Sequence, residues 1–204
     1  MEKITIGDFK KMFNQAYTDI KQREDEFSQL DAVIGDGDHG TAIVQAMQSA
    51  VEAIDKGAEF KQMLNDAGFN VMLQTSGSTS TLMGGFLLGM SDHSTGEELN
   101  IDQIKALFKG GLEGVQKQTK AQPGDKTMMD ALQPAVEAIV NSESADIRTI
   151  MESAANAALE GAKATVGMKA NFGRARNYGE KSIGYADSGA SSWACMFQAF
   201  SKSL

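Results

Sequence analysis

The stretch IGDGDHGTA, Ile34 to Ala42, places Gly35, Gly37 and Gly40 in the spacing G-x-G-x-x-G. Read as a dinucleotide fingerprint, this spacing requires a β-strand immediately before the glycines and a sheet-based fold around them. The preceding residues contradict that. Phe9, Met12, Phe13, Ala16, Tyr17, Ile20, Phe27 and Leu30 recur mostly at three-four spacing, the mark of one long amphipathic helix ending near Asp31. The intervening positions contradict it as well, because Asp36 and Asp38, with Asp31 just upstream, would repel a bare pyrophosphate. A cation bound among these carboxylates would invert the local charge. The glycines then serve to turn the chain tightly, so that carboxylates five and two residues apart converge.

The same helical period returns in Ile43, Met47, Ala50, Val51 and Ile54, in Ile104, Phe108, Leu112 and Val115, and in Leu132, Val136, Ile139 and Val140. Turn-rich stretches at 35–40, 75–80, 91–100, 121–126, 141–145 and 167–191 separate these patterns. The expectation is an all-α fold of about eight helices in one domain, residues 1–204. Alternating β-branched runs are scarce, and the only place for a short hairpin is the glycine-rich region 167–189.

Composition narrows the partners. The chain has 204 residues, 27 acidic against 19 basic, and a formal net charge of −8, which disfavours a sequence-independent hold on nucleic acid or on an anionic membrane. Cys195 is the single cysteine, so it forms no internal disulfide, and a reducing compartment is expected. Residues 1–11 lack the basic-then-apolar pattern of a targeting signal, and no window reaches the roughly 18 apolar residues of a membrane span. The expected setting is soluble and cytoplasmic.

The acidic cluster can be tested against calcium. Counting an EF-hand loop from Asp36 puts Met47 at the twelfth position, where a bidentate Glu is required. Three carboxylates with coordination to spare suit Mg²⁺ together with substrate phosphates. The structural alternative is that Asp31 and Asp36 cap helices and Asp38 is a solvated turn residue. Downstream, QTSGSTSTLMGG (74–85) sets hydroxyl and glycine residues before an apolar helical run, which makes either an anion seat or simply a capped helix start. No Gly-Lys-Ser/Thr follows Gly77 at the spacing of a Walker A loop. QPGDKTMMDA (122–131) joins a turn to a helix that Asp125 or Thr127 could cap. Its Met128 and Met129 suit a core or the face of an adenine. NFGRARNYGEKSIGYADSGASS (171–192) carries Arg174 and Arg176, either a polyphosphate contact or solvated surface charge. His39 suits an acid or base, or a hydrogen bond within the loop, whereas His93 lies in a polar turn and Trp193 and Cys195 read as packing residues.

Taken together, LDAVIGDGDHG (30–40), the Ser/Gly loop ending in LMGG, PGDKTMMDAL (123–132) and GRARNYGEKSIGYADSGASS (173–192) resemble, in order and spacing, the nucleotide-binding L subunit of dihydroxyacetone kinase across essentially the whole chain. The resemblance implies a barrel of eight antiparallel helices. It implies that Asp31, Asp36 and Asp38 hold two Mg²⁺ ions bridging to the phosphates of ADP or ATP. His39, Gly40, Thr41 and Ala42 match the family stretch that approaches the nucleotide. Ser78 and Thr79 match its hydroxyl loop, Met128 the residue near the adenine, Arg174 the phosphate-side arginine, and Asp187, Ser188 and Gly189 the closing loop.

The family's chemistry is phosphoryl transfer to a ketose held covalently on a histidine of a separate K subunit. No substrate-anchoring histidine is therefore expected in this chain. A chain of this length resembles the bacterial separate-subunit type, recharged in some members by a phosphotransferase-system M subunit and in others replaced by direct use of ATP. Three departures bear on the acceptor and the partner. Ser80-Thr81-Leu82-Met83-Gly84 stands where the family usually has G-P-L-Y-G, Thr119 where a glycine near the nucleotide is common, and Ser188 where proline is usual. A paralogous kinase for another triose or tetrose such as erythrulose is one alternative. A nucleotide-sensing regulator that binds a transcription factor is another, as is a helical protein with no nucleotide.

Overall fold

The computed structural model describes residues 1–204. Nine α-helices account for most of the chain: α1 Ile6–Gln22, α2 Glu24–Ile34, α3 His39–Ile54, α4 Phe60–Gln74, α5 Ser78–Asp92, α6 Ile101–Gln116, α7 Met129–Val140, α8 Ile147–Ala164 and α9 Ser188–Lys202. The helix expected over residues 9–31 is broken at Arg23, whose backbone (φ −110°, ψ 15°) leaves the helical region. Arg23 is fixed there by Glu26, which accepts from Nε at 2.8 Å and from Nη2 at 2.6 Å, while the guanidinium lies 4.9 Å from the centre of the Phe27 ring. With α1 and α2 taken as one bent rod, the expected eight rods are present.

Those rods form a closed ring. The chain passes from α1 to α3 by way of α2; from α3 onward each helix packs on the next, and α9 returns to α1. One apolar cluster fills the interior, and aromatic rings bridge helices that are not neighbours in sequence. Phe13 meets Phe200 at 4.9 Å, Phe9 meets Phe60 at 5.3 Å, and Phe86 crosses to Trp193 at 5.2 Å between ring centres. No helix is long and apolar enough to cross a membrane.

Strands occur where the sequence pattern did not suggest them. β1 (Lys3–Thr5) pairs antiparallel with β2 (Glu98–Asn100), opposing Ile4 to Leu99, both buried. Each strand runs straight into a capping box, Thr5 with Asp8 ahead of α1 and Asn100 with Gln103 ahead of α6. The pairing joins segments far apart in sequence, and three residues are too few to show a period. Region 167–189 forms no hairpin: it follows a short 3₁₀ segment at Thr165–Gly167 and contains another at Ala175–Ser182.

Glycines bring α5 and α6 into close contact. A Cβ on Gly89 would lie 2.2 Å from the carbonyl oxygen of Gly110, and one on Gly114 would lie 2.1 Å from that of Gly85, so α5 and α6 touch backbone to backbone. Gly114→Ala is expected to destabilise the fold by about 1–3 kcal/mol through overpacking, despite a gain of about 1 kcal/mol in helix propensity. Gly167→Ala, where a Cβ meets nothing within 4 Å, is expected to be neutral or slightly stabilising. Urea unfolding of the two variants side by side checks this.

Candidate functional site

Neighbouring rods of the ring start at opposite ends. α1 and α6 begin at the strand pair, while His39, Ser78, Met128 and Ser188, at the starts of α3, α5, α7 and α9, all line one cleft of about 360 Å³ at the other end. That volume lies in the range of small-molecule sites. α5 enters the cleft with no side-chain cap: Gly77 (φ 92°) turns the chain, and the first-turn amides of Ser78, Thr79 and Ser80 have no partner within the helix. Four helix starts facing one space make it electropositive in its backbone.

The acidic side chains supply the opposite charge. Carboxylate oxygens of Asp31, Asp36 and Asp38 lie within 4.8 Å of one another. Asp31 organises the turn, its Oδ2 accepting from the amides of Gly37 at 2.7 Å and Asp36 at 3.3 Å. Oδ1 accepts from the Ser188 hydroxyl at 3.2 Å. The three glycines of the G-x-G-x-x-G spacing each serve this turn. A Cβ on Gly35 would strike Asp31, Gly37 has φ 80°, and a Cβ on Gly40 would lie 2.0 Å from the carbonyl oxygen of Glu24. None of them forms a cradle after a strand. Across the cleft, the Arg174 guanidinium pairs with Asp36.

The expected site residues therefore mostly assemble. Asp31, Asp36, Asp38, His39, Ala42, Ser78, Thr79, Thr119, Met128, Arg174, Asp187, Ser188 and Gly189 all line the cleft. Gly40 and Thr41 do not: Gly40 packs α3 against α2, and the Thr41 hydroxyl donates to Glu24 Oε1 at 3.0 Å. Arg176 is not among the lining residues either. His39 Nε2 lies 2.8 Å from Ser192 Oγ, whose own proton is given to the Gly189 carbonyl at 3.0 Å. The imidazole is therefore the donor at Nε2, and burial holds it toward the neutral form against the pull of Asp31.

Three further residues belong to the cleft or support it, one of them, Trp193, read from the sequence as a packing residue. Trp193 lines it and packs edge-on against Phe86. Asp130, buried, accepts from the amides of Gly124 and Thr127, and the Thr127 hydroxyl accepts from the Met129 amide at 3.2 Å, so these two organise the start of α7, whereas Asp125 accepts from the Gln122 amide within the preceding turn. Lys126, only 1% exposed, lines the cleft with its ammonium on the carbonyls of Thr165 and Tyr185. No periodic pattern marks a buried lysine within a turn, so the sequence carried no signal for it beyond its place in PGDKT.

Fold and cleft together define an all-helical ring with an acidic pocket at one open end. The chain belongs to the DAK2 domain family, which matches residues 33–202. It is 33% identical, over 88% of its length and 89% of the relative's, to the PEP-dependent dihydroxyacetone kinase ADP-binding subunit DhaL of Escherichia coli strain K12. It is 36% identical to the L-erythrulose 1-kinase of Mycolicibacterium smegmatis over 89% of this chain, which spans about a third of that protein (33%). The crystal structure of the dihydroxyacetone kinase from C. freundii in complex with AMP-PNP and Mg²⁺ has the same fold, with a TM-score of 0.72 at 23% identity, over 95% of this chain and 33% of that one.

Asp187 caps α9, accepting from the Ala190 amide at 2.7 Å. Burial, reinforced by Asp130 and Asp31 and opposed by the Ala190 amide and Lys126, pushes its carboxyl up to about 7. In the unfolded chain the same group ionises near 4, so between about pH 4 and 7 the folded state holds a proton that the unfolded state has lost. The ligand-free protein is expected to lose up to about 4 kcal/mol of stability from this group as the pH rises through that window. Asp187→Asn, which keeps the cap, removes this component. Denaturant melts of both proteins from pH 4 to 8 check the difference in slope.

Proposed function

We propose that residues 1–204 act as one nucleotide-binding unit of a cytoplasmic kinase, which binds Mg²⁺ with ADP or ATP in the cleft and passes a phosphoryl group to a short ketose held by a separate K-type subunit. The observation that carries this reading is the convergence of Asp31, Asp36 and Asp38 on the cleft that the uncapped start of α5 also lines. An all-oxygen, carboxylate-rich donor set fits Mg²⁺, and the family resemblance implies two ions there. When bound, Mg²⁺ neutralises phosphate charge and orients the transferable group for in-line displacement.

The chain's own groups then divide the nucleotide. The amides and hydroxyls of Ser78 and Thr79 suit the phosphates, as does Arg174, whose fork can donate to two oxygens at once. Met128 and Leu82 give the adenine an apolar wall, with Thr119 at the same cleft. His39, held neutral and oriented by Ser192, positions the α9 start rather than anchoring a sugar. Asp187, Ser188 and Gly189 close the cleft beside Asp31.

The relatives support both dihydroxyacetone and erythrulose as acceptors, since one is named as a dihydroxyacetone kinase ADP-binding subunit and another as an L-erythrulose 1-kinase. The phosphoryl source on this reading is ATP, or a phosphotransferase-system M subunit that recharges bound ADP. A nucleotide-sensing regulator would bind ADP equally well but transfer nothing.

Two measurements test the proposal. Mg·ADP is expected to raise the melting temperature of nucleotide-stripped protein, with no rise in excess EDTA, because a ligand that binds only the folded state stabilises it by mass action. Asp36→Asn should weaken that stabilisation by about tenfold in apparent affinity, roughly the loss of one charged ligand. Reconstitution with a K-type subunit loaded with dihydroxyacetone or erythrulose, supplied with Mg·ATP or with Mg·ADP and a phosphorylated M subunit as the donor, should yield the phosphorylated ketose and release the spent donor. Absence of transfer with either, while Mg·ADP still binds, would favour the regulator.

A further inference from the structure

The segment between α8 and α9 leaves and re-enters the ring at nearly the same point. The Gly184 amide donates to the Val166 carbonyl at 2.8 Å, and the Ala170 amide to the Ser182 hydroxyl at 2.9 Å, so residues 166–184 form a loop with a closed neck. Its other side chains are largely exposed, and its Phe172, Gly173 and Arg174 reach the cleft. Such a loop has few buried contacts to hold it, and its orientation rests on the neck.

One side chain spans the two feet of this loop. The Lys126 ammonium donates to the Thr165 carbonyl at 2.6 Å and to the Tyr185 carbonyl at 2.5 Å, the residues just before and just after the loop. A second tie comes from the same turn: Asn171 donates to Asp125 through its amide at 3.1 Å and through Nδ2 at 2.9 Å. Lys126 is also the one non-glycine residue of the chain with positive φ, 61°, two residues after Gly124. A β-carbon is disfavoured in that conformation and glycine is not. The chain nevertheless places there the longest unbranched cation, buried it, and aimed it at two backbone carbonyls. Strain of this kind persists where the surrounding structure fixes it and commonly marks a functional position.

We infer that Lys126 is a positioning residue of the cleft: its ammonium pins both feet of the 166–184 loop and thereby holds Arg174 and Phe172 in place for nucleotide. The inference rests on the nucleotide reading of the cleft, but the pin itself is a statement about loop order in the ligand-free protein. Without the ammonium the loop samples orientations in which Arg174 is away from the cleft. Affinity then falls in proportion to the fraction still competent, so a competent fraction near one tenth weakens binding about tenfold.

Hydrogen–deuterium exchange of ligand-free protein, together with calorimetric titration of Mg·ADP, tests this in Lys126→Met, Lys126→Gly and Lys126→Arg. For Lys126→Met and Lys126→Gly, the amides of Ala170 and Gly184 are expected to exchange at least about tenfold faster while those of α5 and α6 are unchanged, with Mg·ADP bound about tenfold more weakly. Lys126→Arg, which keeps a cation with several donors, should recover most of both effects. Wild-type affinity in Lys126→Gly would overturn the proposal, because backbone strain rather than the ammonium would then be the variable. Unchanged exchange in the loop would overturn it too, and so would global unfolding of all three variants, which would make Lys126 a determinant of the whole fold. If the wild type itself fails to bind Mg·ADP, the nucleotide reading falls, while the exchange arm still decides whether the pin exists.

Discussion

Closing an even number of helical rods into a ring in which neighbours alternate in direction leaves half of the helix starts at each end. In this chain four of them, α3, α5, α7 and α9, open on a single cleft. Each helix start exposes amides with no partner within the helix and carries the positive end of its dipole. The cleft is thus built to receive negative charge before any side chain is considered. The close α5–α6 contact and the aromatic bridges across the interior hold the helix starts at fixed separations.

Into this electropositive end the α2–α3 turn delivers three carboxylates. Asp31 does so by accepting from two amides of the turn, which draws Asp36 and Asp38 toward it. The Arg174–Asp36 pair shows one way in which the acidic cluster is balanced from across the cleft. A cation among the carboxylates would leave that guanidinium free for another anion, so the two halves of the cleft share one electrostatic account. The elevated Asp187 carboxyl has burial as its main cause: the Ala190 amide and Lys126 counter the charges of Asp130 and Asp31 but do not cancel the cost of desolvating the ionised group.

Much of this was legible in one dimension because the determining signals were local. The three-four apolar period along Ile43–Ile54 or Leu132–Val140 needs no partner to be seen, and the helical character of residues 21–30 was enough to set aside a strand before Gly35. Asp31, Asp36 and Asp38 stood out because three carboxylates gathered by glycines suit a cation, although capping and turn roles were the open alternative in the sequence. The break at Arg23 was less visible, although the six polar residues Lys21–Glu26 interrupt the apolar stripe at the point where α1 ends. The β1–β2 pair was not legible, since two three-residue segments acquire meaning only when β1 meets β2. Gly40 and Thr41 were grouped with the cleft by their position in the motif, whereas the ring turns them toward α2.

By itself, then, the sequence determined the helical class, the turn that gathers the carboxylates and the residue types available for binding, because periodicity and turn chemistry act over a few residues. Only the tertiary structure decided which turns share an end of the ring, that Lys126 spans Thr165 and Tyr185, and that Asp130 rather than Asp125 orders the start of α7. Those outcomes depend on burial and on hydrogen bonds between segments tens of residues apart. Such contacts exist only once the ring has closed, and no local pattern encodes them.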